Sequence, residues 1–163
     1  MNFKRLFAGG AILWLGVLFY IVERSPANIY FLNILPVHFS FYQSLPPLIS
    51  FGPLSNALPA FIHILGFIIL SSSLITVNTP RDLLWICLAW LFIAWGFEIG
   101  QNYPGAIVPY IPDWFENFLF LENFESYFIS GTFDIYDLVA AGAGAAVAYA
   151  VLLITKEKET ERQ

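Results

Sequence analysis

The stretch "GTFDIYDLVAAGAGAAVAYAVLLI", Gly131 to Ile154, decides how the chain is read. Two carboxylates, Asp134 and Asp137, open a long run of apolar and very small residues. About 20 mostly apolar residues cross a bilayer as a helix. A charged side chain at such depth is costly and marks a place where it has a partner or a task. Ala140, Gly144 and Ala148 recur every four residues in this run. Small residues at that spacing let helix backbones approach closely in lipid. This face is therefore expected to dock on another span or on a second protomer.

Three more runs have the length and composition of membrane helices. The four expected spans cover residues 6–22, 58–77, 83–97 and 134–154. The third is short and should lean on its flanks. The first follows Lys4 and Arg5, as a signal peptide would. Its apolar run exceeds the usual ~7–15 residues and no A-x-A-like site follows, so a retained helix is expected. The fold class is thus an all-α membrane protein. Residues 1–155 should form one four-helix domain, and "KEKETERQ" (156–163) a polar tail.

Composition agrees. The chain of 163 residues is 58% hydrophobic, 18% aromatic and 12% charged, where soluble domains carry about 25% charged residues. Its mean hydropathy is +0.70. The formal charge of -5 and the lack of clustered Lys or Arg exclude nucleic acid as a partner. Cys87 is the only cysteine and lies in an apolar run, so neither an intramolecular disulfide nor a CxxC metal site is available.

Six of the seven basic residues fall on one side of the four spans: Lys4, Arg5, Arg81, Lys156, Lys158 and Arg162. Only Arg24 falls on the other. The positive-inside rule then predicts both termini in the cytoplasm. Two long loops, about residues 23–57 and 99–133, should be outside. Their text, "NIYFLNILPVHFSFYQSLPPLISFGPLSN" and "YPGAIVPYIPDWFENFLFLENFESYFIS", is rich in aromatics and proline. Tyr and Trp favour the headgroup zone, so both loops are expected at the outer interface. Asp113 and Glu116 resemble a capping box, which predicts a short helix from Trp114.

With that orientation the polar residues of three spans share a depth. His63 lies one turn into span two. Glu98 and Gln101 end span three, and Asp134 and Asp137 begin span four. Residues three apart share a helix face. Asp134 also suits a helix N-cap, whereas a carboxylate at the end of span three is unfavourable unless it has a specific partner. These groups are expected around one outward polar pocket able to take a proton, a cation or a polar headgroup. One histidine with oxygen ligands has no recognisable metal spacing, and neither a metal nor a cofactor is expected. No G-x-S-x-G, H-E-x-x-H or phosphate-cradling glycine loop is present. Ser71, Ser72 and Ser73 are expected to bond along their own helix. Phe3, Phe7, Trp14, Phe19, Trp85, Trp90 and Trp95 read as lipid contacts and packing.

The order "LPAFIHILGFIIL" (58–70), "WGFEIGQ" (95–101) and "GTFDIYDLVAAGAGAAVAY" (131–149) resembles the VanZ-like membrane proteins. That family is similar in its early-helix histidine, its E-x-x-Q and its closing D-x-x-D helix with glycines. The matching positions are His63, Glu98, Gln101, Asp134, Asp137 and Gly144. Many relatives carry arginine at the place of Gly131 and asparagine at the place of Ala141. The family takes its name from resistance to a glycopeptide antibiotic. The resemblance implies a bacterial inner-membrane protein acting at the outer face of the cell envelope, on a lipid, glycan or glycopeptide-type ligand. Two other readings stay open. One is a subunit of a larger membrane complex, joined through span four as a homo-oligomer or to a partner chain. The other is an enzyme on a lipid-linked substrate, with Glu98 or an aspartate as general base.

Overall fold

The structure, a computed structural model, describes residues 1–23, 54–77, 79–118, 121–122 and 124–160. The first aromatic loop, with Arg24, falls almost wholly outside the described residues, as do residues 161–163. The described chain is all-helical, with no strand. Among the described residues, four helices are long and apolar enough to cross a membrane, making this a multi-pass membrane protein by length and composition. They are α1 (Phe3–Glu23), α2 (Leu54–Leu74), α3 (Pro80–Gln101) and α6 (Ile135–Thr160). Between α3 and α6 come short helices α4 (Pro104–Ile107) and α5 (Phe124–Ser130), with two 3-10 turns, Val108–Tyr110 and Asp113–Asn117.

The third span is longer than its apolar run. Thr79 and Asp82 form a capping box: Thr79 Oγ1 accepts from the Asp82 N–H at 3.2 Å, and Asp82 Oδ2 accepts from the Thr79 N–H at 2.7 Å. Proline at the first helical position fits, since it has no N–H to leave unpaired. The helix therefore starts at Pro80 and runs through Glu98 to Gln101, giving 22 residues. The expected short span is corrected accordingly. The α6 backbone also continues past residue 155 to Thr160. The expected helix from Trp114 is a 3-10 turn starting at Asp113. Its N-cap is Pro112, with no side-chain cap, so Asp113 and Glu116 make no capping box. The i→i+3 bond from Phe115 N–H to the Pro112 carbonyl closes the turn instead.

Helix α2 is the centre of the bundle, with α1 and α6 packed along it and α3 resting mainly on α6. Glycines set both of α2's long contacts. A Cβ on Gly9 would lie 2.7 Å from the Leu70 nitrogen, and one on Gly144 would lie 2.6 Å from the Phe61 carbonyl oxygen. Gly16 and Gly66 allow the rest of the α1 contact, against Ile62 and Leu13. On α6, Ala141, Gly144, Ala145, Ala148 and Leu152 are buried, while Ala140 is partly so. The small-residue face that includes Gly144 and Ala148 is thus occupied by α2 within the chain. Ile64, Ile68, Leu83 and Cys87 complete the buried core. Phe3, Phe7, Trp14 and Trp85 are exposed around the apolar girth.

Polar contacts stitch the spans. The Trp90 indole N–H donates to Ser71 Oγ at 2.8 Å, and Phe67 stacks on Trp90 at 4.7 Å. The Trp95 indole N–H donates to the Leu138 carbonyl at 3.0 Å. Ser72 and Ser73 hydroxyls donate to the Ile69 and Leu70 carbonyls of their own helix. Ser71 instead ties α2 to α3. The Asn2 N–H donates to the Ser73 carbonyl, so Lys4 lies at the α2 C-terminal end. Arg81, in the first turn of α3, lies at the end of that helix opposite Glu98.

Candidate functional site

The C-terminus of α3 and the N-terminus of α6 meet at the Glu98 end of the bundle. Glu98 is only 9% exposed. A carboxylate at the C-terminus of α3 faces an unfavourable dipole, but its side chain reaches across to α6. Oε1 accepts from the Asp134 backbone N–H at 2.6 Å. Asp134 itself is the N-cap of α6. Its Oδ1 accepts from the Tyr136 N–H at 2.8 Å, and its carbonyl accepts from the Asp137 N–H at 3.1 Å. Two carboxylates therefore attend the electropositive start of one helix, where such charge is favourable.

Gln101 lies one turn beyond Glu98, against the segment before α6. A Cβ on Gly131 would lie 2.6 Å from the Gln101 amide carbon and 2.5 Å from the Tyr127 carbonyl oxygen. No side chain fits there without a backbone shift, so glycine is required by the close approach. The Gln101 side chain is also a hydrogen-bond partner of the Tyr127 phenol. Burial pushes the Tyr127 pKa up; the nearby Glu98 charge adds to this, and Asp137 contributes further, while the Gln101 bond opposes it. The phenol thus stays protonated beside the two acids at neutral pH.

His63, Glu98, Gln101 and Asp137 all line one cavity of about 850 Å³. It lies between α2, α3 and α6, and Tyr127 and residues 130–132 also line it. Asp134 is not among the lining residues; its role is the cap. His63 is exposed, with its ring 6.4 Å from that of Phe67. Asp137 is partly buried. Along α3 the lining residues Trp90, Ile93, Ala94, Phe97, Glu98 and Gln101 form a helical stripe. Eleven residues of α-helix span about 16 Å, so the cavity is deep as well as wide. Its deeper part, at Ile64, Phe67, Trp90 and Ile93, is apolar, and its Glu98 end is polar.

The aromatics of the second loop wall this end. Phe97 stacks on Phe128 at 5.9 Å and meets Phe124 and Tyr127 edge-on. Phe115 and Phe124 continue the set toward Trp114. Phe128 is 4% exposed and fills the space over Gly100.

Tyr127, Gly131, Trp90 and Trp95 belong to this site beyond the polar residues expected from sequence. The i, i+4, i+7, i+8, i+11 spacing from Trp90 to Gln101 places these residues on one face of α3, but nothing in the apolar sequence marks that face as the one turned to the cavity. Tyr127 had no such signal, because it lies on a separate short helix. Among the described residues, no three His, Cys, Asp or Glu side chains are grouped closely enough to hold a metal ion. The arrangement can offer hydrogen-bond acceptors, negative charge and aromatic faces to a ligand of cavity size. No family model, characterised protein or solved structure matches the chain.

Proposed function

We propose that this chain is a VanZ-like protein of the bacterial cytoplasmic membrane that binds an envelope ligand in the cavity between α2, α3 and α6. Both termini lie in the cytoplasm in this reading, and the cavity opens outward. The carrying observation is that His63, Glu98, Gln101 and Asp137, from three helices, line one cavity of about 850 Å³. Ligand sites of about 300–1,000 Å³ with mostly apolar walls and a few convergent polar groups are typical. Lys4 and Arg81 at the other end of the bundle support the orientation through the positive-inside rule. The ligand class is an envelope lipid, glycan or glycopeptide-like molecule. Membrane lipid surrounds the exposed apolar girth.

The subunit reading rested on the small-residue face of α6. That face is occupied by α2, which favours ligand binding over assembly through Gly144 and Ala148. The two departures from the VanZ-like pattern fall beside the cavity. Gly131 leaves no room for a side chain, and Ala141 lines the wall without a polar group.

The test is glycopeptide susceptibility of cells carrying Asp137→Asn or His63→Ala, with membrane abundance measured in parallel. Loss of phenotype at normal abundance is the expected result. An unchanged phenotype at normal abundance in both variants would reject the reading.

A further inference from the structure

The cavity's chemistry narrows the ligand further, on the premise that it is a ligand site. We infer that it takes a lipid whose headgroup carries a primary amine, head toward Glu98 and Asp137 and chain toward Trp90.

The cavity is polar at one end and apolar at the other. Glu98, Gln101, Asp137 and His63 lie at the first; Ile64, Phe67, Trp90 and Ile93 lie deeper. That gradient, over about 16 Å along α3, fits an amphiphile lying along the helices rather than a compact polar solute. The sign of charge selects the head. Two carboxylates line the cavity and, among the described residues, no lysine or arginine does. Phosphate-first or carboxylate-first entry would place like charges together in a site of reduced dielectric. A primary ammonium has three N–H donors and would meet acceptors on Glu98, Asp137 and Gln101.

Aromatic placement adds a second, independent argument. Trp95 lies three residues before Glu98, on the same face and one turn deeper, and it also lines the cavity. Its ring is fixed by the bond to the Leu138 carbonyl. Tyr127, near enough to Glu98 and Asp137 to feel their charge, lines the cavity as well. Indole and phenol faces attract cations and repel anions. A quaternary ammonium would gain the aromatic term but could not donate to the carboxylates, so a primary amine is favoured over choline.

The experiment is native mass spectrometry of the purified full chain in detergent. The chain is offered phosphatidylethanolamine, phosphatidylcholine and phosphatidylglycerol with identical acyl chains. Charge-assisted hydrogen bonds set the expected preference at roughly tenfold or more for the ethanolamine lipid over the glycerol lipid. The Glu98→Gln and Asp137→Asn variants should bind the lipids with the preference abolished. Both keep side-chain shape, and an intact thermal transition would exclude misfolding. Ala60→Trp, which fills the wall of the cavity, should weaken all three lipids together. An equal or greater affinity for the glycerol lipid in the wild-type chain overturns the inference. So does a preference that survives both carboxamide variants. Binding of every lipid unaffected by Ala60→Trp would instead remove the ligand-site reading itself, because the lipids would then be held outside the cavity.

Discussion

Replacing Glu98 with alanine should loosen the bundle far more than replacing it with glutamine. The carboxylate accepts the Asp134 N–H at 2.6 Å and is 9% exposed. A hydrogen bond to a charged group contributes about 1.5–3 kcal/mol. Negative charge at the first turn of α6 adds about 0.3–1 kcal/mol. Glu98→Ala removes both, for a loss of about 2–4 kcal/mol. Glu98→Gln keeps an acceptor oxygen at the same reach and forfeits the charge, for a loss of about 1 kcal/mol. Cys87 supplies the assay. It is the chain's only cysteine, is 4% exposed and lies in the Pro80 half of α3. A polar maleimide therefore reaches it through opening of the bundle. Where reclosing is fast, labelling tracks the open population. The alanine variant should label roughly 30- to 1,000-fold faster than wild type, and the glutamine variant roughly fivefold faster. Equal rates for alanine and wild type would refute the tie between α3 and α6. Equal rates for alanine and glutamine would show that charge, not acceptance of the N–H, does the holding.

Gly9→Val and Gly144→Val should each destabilise the bundle by about 1–3 kcal/mol through overpacking against α2, read as a lower thermal midpoint in detergent. Gly10→Ala and Gly142→Ala, whose Cβ positions meet nothing within 4 Å, should be neutral or slightly stabilising, because alanine is the better helix former. Tyr127 should titrate above the ordinary tyrosine value near 10, so the tyrosinate absorbance that Tyr127→Phe removes should develop only in strongly alkaline solution. The folded state holds this proton more tightly than the unfolded chain; stability from this group is therefore intact below about pH 10 and falls as pH rises through the folded value. Gly131→Ala should cost about 1–3 kcal/mol, since its methyl would meet the Tyr127 carbonyl and the Gln101 amide, and a normal melting point would refute that crowding.

Hydropathy located the four spans because lipid demands long apolar runs, and it did so without any knowledge of packing. Their ends were harder to read. The apolar run of span three stops at Phe97, yet the helix continues to Gln101 because Glu98 finds its partner on α6. The start at Pro80 was present in "VNTPRD" as a Thr79–Asp82 capping box, but that segment also reads as a turn. Helix rotation was least legible. These helices are apolar on most faces, so no polar stripe declares which side is buried. Gly9 and Gly16, seven residues apart, mark the α1 contact only once α2 is seen beside them. The shared depth of His63, Glu98, Gln101 and Asp137 was readable from topology alone. Tyr127 was not, because a seven-residue helix set by aromatic contacts brings it to the site.

The two aspartates that open α6 divide the work of the site. Asp134 bonds the Tyr136 N–H and offers its own N–H to Glu98, so its side chain serves the start of the helix. Asp137, one turn on, lines the cavity instead. The cap fixes where α6 begins, and the i+3 spacing then fixes where Asp137 stands relative to α3. Glu98 joins both functions, since it anchors the cap and also lines the cavity. If the cavity takes its proposed ligand, ligand chemistry and bundle assembly are coupled through one carboxylate. A cation drawn to the cavity would compete with the Asp134 N–H for the same negative charge. That coupling makes the charge of Asp137, rather than that of Glu98, the cleaner handle on ligand binding, because its neutralisation leaves the α3 to α6 tie in place.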